Sequence, residues 1–591
     1  MGGSLFMFLM LLIACGDASR DPGSPYQGVD HELPDLTVAE QARLLDAADF
    51  AIAHFVRGGG EFTPDPAFDG IHNRAYVILW QQGRKLYSWW SQADNLSAAV
   101  YRATSQVLEH RPPSGAAGLE VHIQVLGPDI PWAEEGYRHG IHGVSMRRTR
   151  AMNYYPSWAV ETNVKAEKLI RRLQERLEEA DPAPDNGGQP IQVYYFPAQH
   201  FSRPYQGSQI TAYYKGSTPQ LDGEIDAVRF ERLHALARQW LTGALAPDGQ
   251  FRYLYYPSRD EYPEGKNNMI RQLMSSRGLA QLAAANPELE PLHRRNLDYM
   301  MTHWYREEGD KAYILFKDKS KLGANAMALR TLVYSPWFDS YTTEARRLAY
   351  GILALQQEDG AFLPWYVEPS YVYSAERLLT FYSGEALLAL FEYYLKTGDD
   401  RVLAAARRSQ DYYVTRYADQ IDEHYYPAYV PWHAQSLSLA YEIFEEPRYA
   451  QAVFAMTDKL LEIQNQDGGI DPYYRGRFYN PATPQFGSPH SSSDAVYTEG
   501  LAYAYALALS EQDSKRATRY REALLLGLHN LDNLQYRGQR MYFVPSPRAV
   551  EGALRIHTTD NKVRVDTTQH ALDAFDKVAQ LLASGDLVLP E

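Results

Sequence analysis

Asp248-Gly249-Gln250-Phe251, Asp359-Gly360-Ala361-Phe362 and Asp467-Gly468-Gly469-Ile470 are one motif written three times. Each precedes an aromatic run: Leu254-Tyr255-Tyr256-Pro257, Leu363-Pro364-Trp365-Tyr366 and Asp471-Pro472-Tyr473-Tyr474. Weaker breaks fall between them, at Gly309-Asp310, at Asp422 and at Gly538, each followed by tyrosine-containing sequence. The result is six units of roughly 50 to 70 residues, each reading helix, turn, extended aromatic segment, helix, the signature of a repeat architecture. Phe230, Leu233, Ala237, Trp240 and Leu241 share one face of a helix. The first helix of a unit is charged and amphipathic, as in 400–413. The second is apolar nearly all round, as in 384–390 and 501–509, and must be buried on every side. Six such pairs close naturally into an inner barrel of six helices within an outer six, although an open solenoid carries the same pattern. The fold class expected is mainly α: an (α/α)6 six-hairpin toroid over 225–582, preceded by a small α+β domain over 36–205.

The 36–205 region mixes signals. Residues 38–56 have helical spacing, 75–80 and 85–90 flank Gln81-Gln82-Gly83-Arg84 as a hairpin, 96–108 reads as a second helix, and 119–126 and 191–196 alternate like strands. The strings LEVHIQVLGPD (119–129), YRHGIHGVSM (137–146) and NYYPSWAVETN (153–163), with IQVYYFPAQHF (191–201), resemble the AMMECR-type α+β family. Where that family reads LRGCIG, this chain has Leu86-Tyr87-Ser88-Trp89-Trp90, with neither the Cys nor the Arg-Gly pair. His139 and His142 flank a glycine turn, read as a backbone device.

Gln466-Asp467-Gly468-Gly469 before an aromatic segment, and Pro431-Trp432-His433-Ala434-Gln435 opening an inner helix, resemble the six-hairpin carbohydrate-active group. That group includes glucuronyl hydrolases, polysaccharide lyases, N-acylglucosamine epimerases and the C-terminal domain of heparosan-glucuronate 5-epimerases, the last being the nearest in pattern. The resemblance implies a glycan ligand and an epimerase, lyase or hydrolase. The alternative is a non-catalytic glycan-binding or assembly protein that keeps the ring without its chemistry.

In a ring of hairpins the inner-helix starts crowd one face, where positive helix ends favour anions. Those starts carry Asn267, Asn268 and Arg271; Lys321 and Asn325; Tyr382 and Glu385; His433 and Gln435; His490, Asp494, Tyr497 and Glu499; and Arg564, Asp566, Gln569 and His570. Tyr497, Glu499, His570 and His433 are the candidate acid–base groups. Arg564, Asp566, Gln569, Arg271, Asn268, Tyr382, Glu385, His490 and Asp494 are the candidate substrate contacts, with arginine suited to a uronate carboxylate. Asp566 reads equally well as a cap, and Arg564 as a tie between the last unit and the first. No phosphate loop, dinucleotide fingerprint or metalloprotease motif is present, so neither metal nor cofactor is expected.

The formal net charge is −15, which disfavours nucleic acid or anionic lipid as a partner. Tyrosine outnumbers phenylalanine 45 to 21, and its flat face and hydroxyl suit both sugar stacking and half-buried packing. The single cysteine, Cys15, ends the apolar run 5–14. Ten helical residues rise roughly 15 Å, too short to span a bilayer. Leu12-Ile13-Ala14-Cys15 resembles a bacterial lipobox, which implies a signal peptide over 1–14, lipidation of Cys15, a tether over 15–35 and a place in the cell envelope held only by lipid.

Overall fold

A computed structural model describes residues 36–70, 73–133, 136–182, 189–219, 224–467 and 471–590. The apolar leader, Cys15, the tether and Gly468 lie outside the described residues.

The N-terminal elements are α1 (Val38–Arg57), β1 (Arg74–Gln81), β2 (Arg84–Gln92), α2 (Leu96–His110), β3 (Leu119–Leu126), β4 (Ile130–Pro131), β5 (His142–Arg147), β6 (Ala151–Tyr154), α3 (Trp158–Thr162), α4 (Ala166–Ala180), β7 (Gln192–Pro204) and β8 (Thr211–Tyr213). The strands form one antiparallel sheet in the order β2-β1-β3-β7-β5-β6, with β4 and β8 also on β7. Strand β1 is apolar on both faces for a reason. Ala75, Val77 and Leu79 pack under α1 and α2, while Tyr76, Ile78 and Trp80 join the core shared with the helical domain. The β5–β6 hairpin was not anticipated. Its strands are short and the second, Ala-Met-Asn-Tyr, carries no alternation strong enough to announce it. Gly140 takes φ +86 and His142 Nδ1 accepts from the Arg138 amide at 2.9 Å, so the His-Gly segment does serve the backbone.

The rest is a closed ring. Its helices are α5 (Ala227–Gly243), α6 (Met269–Ala285), α7 (Glu290–His303), α8 (Leu322–Val333), α9 (Thr342–Leu353), α10 (Ala375–Thr397), α11 (Asp400–Val414), the short α12 (Ile421–His424), α13 (Val430–Phe444), α14 (Pro447–Leu460), α15 (Ser491–Ser510), α16 (Ser514–Leu534) and α17 (Val565–Ser584). The inner six, α6, α8, α10, α13, α15 and α17, each touch the next, and α17 touches α6, which closes the circle. The outer six are α5, α7, α9, α11, α14 and α16. Between outer and inner helix each unit inserts an extended segment, and Val563 and Arg564 from the last unit pair with Tyr255 and Leu254 from the first.

Two of the aspartyl-glycine turns join outer to inner helix as expected. Gly249 and Gly360 have φ +98 and +97, and a β-carbon on Gly360 would lie 2.6 Å from the Arg408 carbonyl on the next outer helix. The fifth and sixth units meet this requirement elsewhere. Gly476 (φ +86) and Gly552 (φ +89) press against the carbonyls of Leu526 and Leu236, whereas Gly538 has open space around it. Gly360→Ala is therefore expected to lower stability by about 1–3 kcal/mol, from left-handed strain and the clash together. Thermal denaturation checks it, and an unchanged midpoint would show that the helices can separate to admit the methyl.

The sheet domain sits on the loops of units five, six and one. Tyr542 packs among Trp80, His122 and Tyr213, with ring centroids 5.3, 4.5 and 5.2 Å away. Lys215 pairs with Asp471, and the Val160 carbonyl accepts from Ser258 and Asn561.

Candidate functional site

The mouth of the ring is built on Asp566, two residues into the vicinity of the α17 start. Arg564 grips its carboxylate with Nε and Nη2, the latter at 2.6 Å. Arg271, from the first turn of α6, reaches the same carboxylate at 3.0 Å, and Ser492, at the start of α15, donates to it at 3.0 Å. Asp566 thus ties three inner helices and does not cap its own. Burial opposes its charge, but Arg271 and Arg564 outweigh that and hold it well below the usual carboxylate range. Arg271 also donates to the Tyr253 hydroxyl at 2.7 Å. His490 caps α15 by accepting from the Ser492 amide at 3.0 Å. Burial, with Arg564 next, pulls its pKa down to about 4.

Deeper in the ring His570 faces Glu499 at 3.5 Å, with the Trp432 ring edge-on at 5.7 Å. Burial works against a charged imidazole, yet Glu499 and then Asp566 and Asp573 raise its pKa. Glu385 is 2% exposed, and its Oε2 has no hydrogen-bond partner. Burial pushes it up to about 7, with His570, Lys321 and Arg330 pulling the other way. Gly323 on α8 makes room for this carboxylate, since a β-carbon there would overlap Oε2 and crowd Tyr382. Lys321, whose pKa burial and Lys319 lower, lies between the Trp365 and Tyr382 rings at 5.5 and 6.0 Å. Below the dyad, Asp573 pairs with Arg277 at 2.9 Å, and burial raises it to about 6.

Several expected contacts do not join this group. His433 is bonded to Ser383 at 2.9 Å among the rings of Tyr413, Tyr417 and Tyr429, and burial drives its pKa down to about 3. Asp494 is the counter-ion of Arg477, with 2.7 Å between them. Tyr497 packs edge-on against Phe478. Gln569 donates to Asp573 at 2.6 Å, and Asn268 caps α6. Asn325 accepts from the Ile314 amide at 2.8 Å, and Gln435 donates to the Pro431 carbonyl at 3.2 Å.

Lys321 belongs to a run of alternating lysines whose other two members carry no helix-start pattern. Lys317-Asp318-Lys319-Ser320-Lys321 places its three lysines around a 180 Å³ pocket with Asn267, Asn268 and Phe316. Lys319 lies 4.9 Å from the half-exposed Tyr371 ring, so the approach to the mouth is basic and aromatic. Among the described residues no carboxylate pairs with these lysines, and no cluster of His, Cys, Asp and Glu could hold a metal.

The architecture is that of the (α/α)6 toroids. No protein-family model matches the chain, and no curated protein matches it. Among solved structures, a D-mannose isomerase is 12% identical, matched over 62% of this chain and 100% of its own, with a TM-score of 0.46. An unsaturated glucuronyl hydrolase from Streptococcus agalactiae is 12% identical over 60% of this chain and 93% of its own, with a TM-score of 0.42. An uncharacterized protein from Pyrococcus horikoshii is 20% identical over 29% of this chain and 94% of its own, with a TM-score of 0.25. The ring assignment stands on the helices themselves.

Proposed function

We propose that the ring processes a uronate-containing glycan at its mouth by proton transfer, as an epimerase, lyase or hydrolase of the bacterial envelope. The observation that carries this is Glu385: a buried carboxyl with an unpartnered oxygen, titrating near neutrality beside His570 and Lys321. A general base or acid works best with a pKa near the working pH. Arg271, Arg564 and Lys321 supply positive charge for a sugar carboxylate, and that carboxylate acidifies the proton on carbon 5. A base at Glu385 or His570 removes that proton. Return of a proton to the opposite face gives the epimer, and expulsion of the oxygen at carbon 4 gives the unsaturated lyase product. In the hydrolytic variant an acid protonates the glycosidic oxygen instead.

A second reading has its own support. Arg271 and Arg564 already hold Asp566, and Glu385, Glu499 and His570 are only 2, 2 and 5% exposed. A filled axis suits a non-catalytic glycan-binding or assembly lipoprotein. Incubating the protein with uronate-containing oligosaccharides in heavy water separates the two. Deuterium at carbon 5, or a product of changed mass, supports processing; stoichiometric binding with unchanged glycan supports the second reading.

Arg564→Ala is expected to weaken binding of an acidic glycan by about 1.5–3 kcal/mol while leaving a neutral one unchanged. Calorimetry of both ligands checks this. Equal losses for the two, or a lower melting temperature with unaltered binding, would make Arg564 a tie between the last unit and the first.

The envelope address rests on Cys15 and the apolar run before it. Cys15→Ser is expected to release the protein from the membrane fraction. A mutant that still sediments with membranes in high salt would remove the lipid anchor from this reading.

A further inference from the structure

Outside the ring, the N-terminal domain holds a cleft of 550 Å³ where β1 and β2 approach the β5–β6 hairpin, lined by Arg74, Trp90, Gln92, Asp129, Arg147 and Asn153 among others. Arg74 donates to both oxygens of Asp129, at 3.0 and 3.2 Å, and Arg147 pairs with the same carboxylate. Two guanidinium groups thus share one acid, which leaves the lining with an excess positive charge. Arg147 is held in place through Nε, which donates to Ser145 at 3.1 Å, and its side chain is 38% exposed. Its Nη1 makes no hydrogen bond among the described residues. Trp90 is 43% exposed at the edge of the cleft. Gln92 and Asn153 add amides that both donate and accept.

A planar guanidinium with unspent donors matches a carboxylate, an exposed indole offers a flat face to a ring, and amides read hydroxyl groups. The volume falls within the range of small-ligand pockets. We propose that this cleft binds a carboxylate-bearing sugar ring, with Arg147 taking the carboxylate and Trp90 stacking on the ring. The site is separate from the mouth and does not depend on the toroid being catalytic.

The test is fluorine NMR of the full chain labelled with 5-fluorotryptophan, with the Trp90 signal assigned by Trp90→Phe. D-glucuronate should shift that signal saturably in the wild type and equally in Arg564→Ala. D-glucose and acetate should not. Arg147→Gln, shown to be folded by an unchanged melting temperature, should weaken the glucuronate response about tenfold or more. If that variant is unfolded, Arg147→Lys, which keeps the charge but loses the planar fork, should weaken it as well. The proposal is overturned by no saturable shift, by an equal response to acetate, or by full binding in a folded Arg147 variant. Loss of glycan processing at the ring would leave the Trp90 response intact, so the two readings fail separately.

Discussion

Glu385→Gln lowers turnover of a uronate-containing glycan by about 10²- to 10⁴-fold if the carboxyl is the acid–base group, and it does so while making the protein more stable at alkaline pH. The second half follows from linkage. Burial raises the folded-state pKa of Glu385 from 4.5 to about 7, so between these values the folded chain binds the proton and the unfolded chain does not. Stability therefore falls as pH rises through that window, and above it the buried charge costs on the order of 3 kcal/mol. Glutamine removes that cost. Wild type and variant should melt alike near pH 4, and the variant should melt higher near pH 8. A variant less stable at both pH values would mean that the carboxylate is held by bonds that glutamine cannot make. Full activity with the expected stability gain would leave Glu385 buried but idle.

Asp494→Ala has the opposite sign and a comparable size. The Asp494 carboxylate accepts from Arg477 Nε at 3.0 Å and from the Phe478 amide at 3.0 Å, and both ion-pair partners are almost wholly buried. Removing one member of such a pair strands the other charge away from water, which costs about 3–5 kcal/mol. Chemical denaturation should show that loss, and the surviving protein should discriminate acidic from neutral glycans as before. A selective loss for acidic ligands would return Asp494 to the binding surface.

The ring was legible because its inner helices have no polar face. A segment such as 501–509 has nowhere to go except between other helices, and the contact of α17 with α6 then selects the closed ring over the open solenoid. The N-terminal β1–β2 hairpin was legible through two apolar and aromatic runs on either side of a glycine turn, and the β5–β6 hairpin was not. The site was legible only to the nearest turn of helix. Consecutive residues are rotated by about 100°, so positions two apart point to nearly opposite sides. Glu499 faces His570, and Tyr497, two residues earlier, therefore packs outward on Phe478. His433 lies at the right height but points into a tyrosine cage supplied by α11 and the segments flanking α12, partners that no local pattern reveals. Glycines posed a related problem. Gly476 and Gly552 carry the close helix contacts without an aspartate before them, so a search for Asp-Gly could not find them.

Closure of the ring sets the order in which the protein comes into being. The Ala227 amide bonds to the Pro590 carbonyl at 3.1 Å, Tyr255 pairs with Val563, and Arg271 meets Arg564 on Asp566. Each joins the first hairpin to the last across some three hundred residues of chain. The other five junctions can form as the chain lengthens, whereas this one waits for α17. The mouth straddles that seam, so it is the last part of the ring to be assembled. Any nascent chain halted before α17 carries the other helices of the ring without Asp566, and so without the tie at its mouth.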